Sequence, residues 1–361
     1  MNQYYFDKLI KTLELNDLDG ILVVPSEELR FLFGFSPSLC ERFQGMFVLK
    51  SGEYFYVCNE LTKDEVNEYL DLSNIYAWHD NEGWLPQMEQ VALKYDLMHK
   101  RIGVNSSARA FNILDLEQKL SIRFVNGREV LESIRLIKNN QEIELLKEAA
   151  KRTDHVMAQS IQWIKPGMTE GQIDEFIRKE FEKQKMTVDF AIVASGPNSA
   201  LPHYSGKDRM IQNQDVVLID IGGKYQGLSS DITRTIFVGK ASEKQILAYQ
   251  AVLEATLAGI EAAKKGVAAK NIDFAARERI ENHGYGAYFT TRLGHGIGYS
   301  GHEGPYINGT NSLIIDNGMA FSIEPGIYIK GQFGIRIEDI VVVEEGQGVP
   351  INHITKDMII I

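Results

Sequence analysis

The sequence predicts a two-domain α/β protein, with residues 1–130 forming one domain and residues 131–361 the other. Three observations lead there. The chain has 361 residues, enough for two cores of ordinary size. Helical and strand-like runs alternate up to about Gly127, the pattern of a mixed α/β domain. Beyond that point, two helices, a strand segment and a hairpin bearing two carboxylates occur twice in succession, which predicts two related halves facing each other.

In chain order, Phe6, Leu9, Ile10 and Leu13 recur at helical spacing, and Gly20 then opens an apolar strand from Ile21 to Val24. Met46–Lys50 and Tyr54–Cys58 read as strands joined at Ser51-Gly52-Glu53. Arg101–Val104 reads as a strand, and Phe111–Leu120 as a helix with Phe111, Ile113 and Leu114 on its apolar side. His79 and His99 stand alone and read as surface or structural histidines. Residues Asn126 to Arg135 read as the join. A long helix follows, capped by Asn139 and Glu142, with Ile143, Leu146, Ala150, Thr153, Met157 and Ile161 inward. Lys165-Pro166-Gly167 ends it, and Thr169 with Gln172 caps the next helix, whose inner residues are Ile173, Phe176, Ile177 and Phe181.

A strand ending at Gly196 leads through the loop PNSALPHYSG to the stretch Val216–Gly239. This stretch reads as two strands joined through glycines, with Asp220 closing the first apolar run and Asp231 opening the second. Ser242 and Gln245 then cap a helix to about Lys265, and Asn271–His283 forms another, stopped by Gly284. The segment GHGIG, with His295, and a second hairpin-like unit, with Glu324 and Glu338, complete the repeat.

Composition narrows the function classes. A net charge of −11 gives no electrostatic support to a nucleic-acid or anionic-membrane partner. Cys40 and Cys58 lack a CxxC spacing, so a reducing compartment is the simpler reading. The N-terminal stretch is acidic and lacks a long apolar core, and no run approaches the roughly 20 apolar residues of a membrane span. A cytoplasmic location is the expectation.

A carboxylate within an apolar strand is costly to bury unless something pairs with it. Taken singly, Asp220, Asp231, His295, Glu324 and Glu338 each have an ordinary structural explanation, as turn caps, tight packing or a solvated edge. Taken together, every one of these acids borders a β-rich apolar run. Four carboxylates and one imidazole suit two divalent cations. Oxygen-rich ligation favours Mn²⁺, with Co²⁺, Fe²⁺ or Zn²⁺ as competitors. Two such ions, roughly 3.5–4 Å apart, activate a shared water and polarise a carbonyl, which is machinery for hydrolysis.

The set DIG, SDITRT, GHGIG, EPGIY and RIED, with eleven residues from Asp220 to Asp231, resembles the pita-bread metallopeptidases: methionine aminopeptidase, aminopeptidase P and prolidase. The resemblance spans at least Arg135 to the C-terminus. The first domain, including LRFLFGFSPS at Leu29–Ser38, resembles that of the prolidase, aminopeptidase P and creatinase branch. The resemblance implies a creatinase/prolidase-type N-terminal domain followed by a pita-bread catalytic domain with pseudo-twofold halves. It implies that Asp220 binds one metal, that Asp231 and Glu338 bridge two, and that His295 and Glu324 complete the second. Glu324 is then also the proton carrier. It places His203 and His302 against the substrate and the developing oxyanion, and Tyr328 and Arg336 beside them, with Arg336 orienting a ligand carboxylate.

The implied activity is hydrolysis of an N-terminal Xaa-Pro bond in a dipeptide or short peptide by a metal-bridging hydroxide, carried out by a homodimer. One departure stands out. Many prolidases and aminopeptidases P carry a histidine four residues before the metal histidine, where this chain has Thr291. That leaves the metal set intact and bears on substrate specificity. Two other readings use the same fold: a creatinase-like hydrolase of carbon–nitrogen bonds, and a non-catalytic peptide-binding protein. Relatives of both kinds lack metal ligands that this chain retains.

Overall fold

Short aliphatic and aromatic runs, joined by one tight turn and otherwise by helices, set up a six-stranded sheet at the start of the chain. The computed structural model describes residues 1–361, which divide into two units, Met1–Arg135 and Leu136–Ile361. In the first unit, helix α1 (Gln3–Leu15) buries Tyr5, Phe6, Leu9 and Leu13. Strands β1 (Gly20–Val23), β2 (Gly45–Leu49), β3 (Tyr54–Asn59), β4 (Ile75–Trp78), β5 (Arg101–Val104) and β6 (Arg123–Asn126) lie in the order β4-β3-β2-β1-β5-β6. β2 and β3 form the expected hairpin about Ser51-Gly52-Glu53.

Two details differ from the sequence reading. The helix Ala110–Leu120 buries Asn112, Leu116 and Leu120, while Phe111 and Leu114 face outward. Its inward face is therefore the i, i+4, i+8 row starting at Asn112, opposite Phe111 and Leu114, and of the expected apolar side only Ile113 packs on the core. The stretch read as a join contains a helix, Arg128–Arg135, that buries Val130, Leu131 and Ile134. It packs on α1, and Lys8 Nζ donates to the carbonyl of Ile134 at 2.8 Å.

The second unit opens with α2 (Asn140–Trp163) and α3 (Glu170–Lys183), followed by β7 (Thr187–Ser195), β8 (Val216–Tyr225) and β9 (Leu228–Phe237). It continues with α4 (Glu243–Ala262), α5 (Ala269–Asn282), β10 (Gly294–Gly296), β11 (Glu303–Ile307) and β12 (Ala320–Ile323). The hairpin β13 (Gly326–Ile329) and β14 (Phe333–Arg336) precedes β15 (Asp339–Glu344), β16 (Gln347–Pro350) and β17 (Ile359–Ile360). All three predicted capping boxes are formed, at Asn139/Glu142, Thr169/Gln172 and Ser242/Gln245. Each satisfies two amide donors that a helix start otherwise leaves open.

The repeat is visible in the packing. α2 and α3 cover the sheet β17-β9-β8-β7 through an apolar layer that includes Met157, Ile177, Ile219 and Ile232. α4 and α5 pack through Val252, Ala255, Ile272 and Ala276 onto Phe321, Ile323 and Val341 of the second sheet, β11-β10-β12-β15-β16.

The aspartate hairpin is longer than its glycines suggested. β8 and β9 stay paired through Gly222 and Gly223 and turn at Gln226-Gly227, so Asp220 and Asp231 lie well inside the ladder. These glycines serve close packing. A Cβ on Gly222 would lie 2.4 Å from the Phe190 ring and 2.6 Å from the Ser230 carbonyl. Gly222 also sits opposite Asp231, which leaves the carboxylate free of a facing side chain. Gly222→Ala is expected to lower stability by about 1–3 kcal/mol through overpacking. Chemical denaturation checks this, and an unchanged midpoint would contradict the tight fit.

Candidate metal centre

Strand alternation aims the acids. On β8, Ile219 and Ile221 enter the apolar layer beneath the first pair of helices, so Asp220 and Gly222 face the other way. On β9, Ile232 and Ile236 go into the layer, and Asp231, Thr233 and Thr235 face out. The register pairs Asp220 with Thr233 and Gly222 with Asp231, which puts both carboxylates on one face.

The second half brings its acids to the same place. β12 and β15 pair through Ile323 and Asp339, and Glu324 and Glu338 lie one residue beyond that pair on either strand. The Glu338 amide donates to the Thr233 carbonyl at 3.1 Å, joining the two sheets. His295 sits on β10 between β11 and β12. Its flanking glycines are required there, because a Cβ would come within 1.9 Å of the Ser322 carbonyl at Gly294 and 2.0 Å of the Gly304 carbonyl at Gly296.

Asp220, Asp231, His295, Glu324 and Glu338 all line one cavity of about 570 Å³. His295 Nδ1 lies 3.1 Å from the Gly296 carbonyl, which fixes the proton on Nδ1 and turns the Nε2 lone pair inward. That Nε2 is 3.2 Å from Glu324 Oε1 and 3.9 Å from Asp231 Oδ2. Ligand atoms of Asp231, His295 and Glu338 lie within 4.8 Å of one another. Around them, Arg336 donates from Nη2 to Asp220 Oδ2 at 2.5 Å, from Nη1 to Tyr328 Oη at 2.6 Å and from Nε to Thr233 Oγ1 at 3.0 Å. Thr233 in turn donates to Glu338 Oε2 at 2.7 Å. Ser322 donates to Glu324 Oε1 at 3.0 Å and accepts from the His295 amide.

The other oxygen of each inner acid has no such support. Asp220 Oδ1, Asp231 Oδ1 and Glu338 Oε1 are buried and make no hydrogen bond. Buried oxygens of this kind are costly unless a cation meets them. Burial, then the neighbouring acids Glu338, Asp220 and Glu324, push the Asp231 carboxyl well above the usual range. Burial and the charges of Glu324 and Asp220 do the same to Glu338. Burial also lowers His295 to about 4, so its imidazole is neutral at pH 7. Burial opposes the charge on Arg336, but Tyr328 and the carboxylates outweigh it and keep the guanidinium protonated. A neutral imidazole facing several buried carboxyl oxygens fits divalent cations, whose binding displaces the protons.

The remaining candidates are placed as follows. His302 stacks on His295 with ring centroids 3.9 Å apart. Burial, with His295 and Arg292 nearby, lowers it to about 4. His203 lies on the cavity wall at an exposed position. Tyr328 and Arg336 are buried in the wall, and every guanidinium nitrogen of Arg336 is engaged by a protein oxygen. Thr291 also lines the cavity, and its Oγ1 is buried without a hydrogen-bond partner.

Three supports escaped the sequence reading: Thr233, Ser322 and Arg234. Arg234 is fully buried, donates to the Glu338 carbonyl at 2.6 Å and pairs with Asp339 at 2.8 Å. The one available signal was the polar run DITRT in a strand that is otherwise apolar.

The raised carboxyls give a signed pH prediction. Without metal, folded protein holds protons on Asp231 and Glu338 that the unfolded chain has released above its ordinary values of 3.8 and 4.5. The folded state then binds more protons, so these groups contribute a stability that falls as pH rises from that range toward neutrality. Denaturation of metal-free and metal-loaded protein across pH 4–8 should show a gap that widens with pH. A gap that narrows or stays constant would contradict the account.

Comparison with known proteins gives the family. Residues 144–345 match Metallopeptidase family M24, and residues 6–137 match the Creatinase/Prolidase N-terminal domain. The Xaa-Pro dipeptidase of Pyrococcus horikoshii is 32% identical over 361 residues, covering 98% of this chain and 97% of that protein. The crystal structure of dipeptidase PepE from Mycobacterium ulcerans superposes with a TM-score of 0.93 at 34% identity, covering 99% of this chain and 96% of that one. X-Pro aminopeptidase from Thermotoga maritima superposes with a TM-score of 0.85 at 27% identity, covering 99% of both chains. The α/β fold is the one the motifs implied, a creatinase/prolidase-type domain followed by a pita-bread domain. The chain belongs to Metallopeptidase family M24.

Proposed function

We propose that this chain hydrolyses the N-terminal Xaa-Pro bond of dipeptides or short peptides with two bound divalent ions, Mn²⁺ being the ion that the oxygen-rich donor set suits best. The observation that carries this reading is the group of unpartnered carboxylate oxygens facing a neutral imidazole at the cavity wall. The proline preference draws on relatives named Xaa-Pro dipeptidase and on a structural neighbour named X-Pro aminopeptidase.

Asp220, Asp231, His295, Glu324 and Glu338 would hold the ions, with Asp231 and Glu338 shared between them. When bound, the ions supply Lewis acidity and an activated water at neutral pH. Arg336 matters to the charge balance. With four carboxylates and this buried cation, two divalent ions leave one positive charge for a further anion to meet.

The protein groups then have separate tasks. Arg336 and Thr233 hold Asp220 and Glu338 by one oxygen each and leave the other oxygen for the ions. Burial raises the Glu324 carboxyl, which suits it to carry a proton. In hydrolysis the C–N bond breaks, the carbonyl carbon gains the water oxygen, and Glu324 passes a proton to the departing proline nitrogen. His203 and His302 donate hydrogen bonds to the carbonyl oxygen as it gains charge, His302 as the neutral imidazole that burial favours. Thr291, in place of a histidine, presents a shorter donor to the substrate.

A homodimer formed through the first unit is also part of the proposal, supported by the outward-facing Phe111 and Leu114. So is a cytoplasmic location, which suits two unpaired cysteines. No helix is long and apolar enough to cross a membrane.

Hydrolysis of an Xaa-Pro dipeptide and of the same sequence extended by two residues, with Mn²⁺ and after chelation, tests the reading. Chelator-sensitive cleavage of the dipeptide is expected, and absence of cleavage of either peptide by metal-loaded protein would overturn it. Asp231→Ala should lose metal and turnover together. Turnover by that variant without metal would contradict the role given to the ions.

A further inference from the structure

His203 stands on an exposed loop of the cavity wall. It is exposed, as are Leu201, Ser205 and Gly206 around it. The loop is held firmly on both sides of this stretch. Before it, Glu170, buried in the first turn of α3, accepts from the Ser195 amide and hydroxyl, both at 2.7 Å, and from Asn198 Nδ2 at 3.1 Å. After it, the Gly171 amide donates to the Lys207 carbonyl at 2.8 Å, and Lys207 Nζ pairs with Asp174 at 2.7 Å.

Between Leu201 and Gly206, Tyr204 makes the side-chain hydrogen bond to the rest of the protein. Its hydroxyl accepts from Asn198 Nδ2 at 2.8 Å. The same amide reaches Glu170, so carboxylate, amide and phenol form one chain from the helix start to the loop. Gly206 closes over the phenol from the other side, where a Cβ would lie 2.1 Å from the Tyr204 oxygen.

We infer that Tyr204 is a positioning residue for its neighbour: its phenol, held by Asn198 on one side and flanked by Gly206 on the other, holds the backbone from which His203 reaches the cavity. The inference rests on the role proposed for His203. A donor that must meet charge developing on the carbonyl oxygen loses effect when displaced by about 1 Å, even where substrate still binds. An exposed loop without a pin samples such displacements freely. Tyr204 does not touch the reacting atoms and acts only through His203.

A double-mutant cycle on full-length, manganese-loaded protein tests this with an Xaa-Pro dipeptide. Tyr204→Phe removes the hydroxyl. Gly206→Ala keeps the hydroxyl and pushes the phenol from its seat. Each should lower kcat about fivefold, the worth of one ordinary hydrogen bond, with KM within about twofold. In a His203→Ala background both substitutions should change kcat by less than about twofold, because residues acting as one unit are not additive. The same fivefold losses in that background would overturn the inference while leaving the role of His203 intact, and so would wild-type kcat in Tyr204→Phe. Wild-type kcat in His203→Ala alone would overturn both.

Discussion

The structure of the second unit depends on one electrostatic constraint. Four carboxylates from two sheets meet in a buried pocket, and protein groups satisfy only part of their charge. Arg336 is the cation that makes this arrangement possible in the protein itself. It ties Asp220 from the first half to Tyr328 of the inserted hairpin and, through Thr233, to Glu338. Carboxylates this close would otherwise repel in a medium that screens poorly. What the protein leaves unbalanced is the charge that the proposed pair of divalent ions would supply.

The repeated architecture explains how the cluster is assembled without strain in any one strand. Each half contributes two acids from an antiparallel pair, and helices bury the opposite face of each sheet. Where strands must approach closely, glycines remove the Cβ, as at Gly222, Gly294 and Gly296. Asp220 and Asp231 therefore sit within paired strands, and Glu324 and Glu338 one residue beyond theirs, whereas His203 sits on an exposed loop. The division suits chemistry in which ions stay fixed while substrate enters and leaves.

Much of this was legible in the sequence because it rests on local rules. The three capping boxes need only four consecutive positions each, and helical periodicity over 143–161 gave the buried face of the first long helix. The glycines were harder. A Gly-Gly pair between two apolar runs looks the same whether it turns the chain or admits Phe190 and Phe181 to its surface. On Ala110–Leu120 the apolar residues do not mark the buried side, since Asn112 faces in while Phe111 and Leu114 face out and only Ile113 packs on the core. The hydrogen bonds of Thr233 and Arg336 join residues about a hundred positions apart. Nothing local announces them, and only the assembled sheets bring the partners together.

The most direct test of the central claim is a count of ions. Equilibrium dialysis of metal-free protein against Mn²⁺, with bound metal measured per chain, reads the charge that the cluster leaves unbalanced. The account predicts two ions per chain. Binding of one ion, or of none, would contradict it.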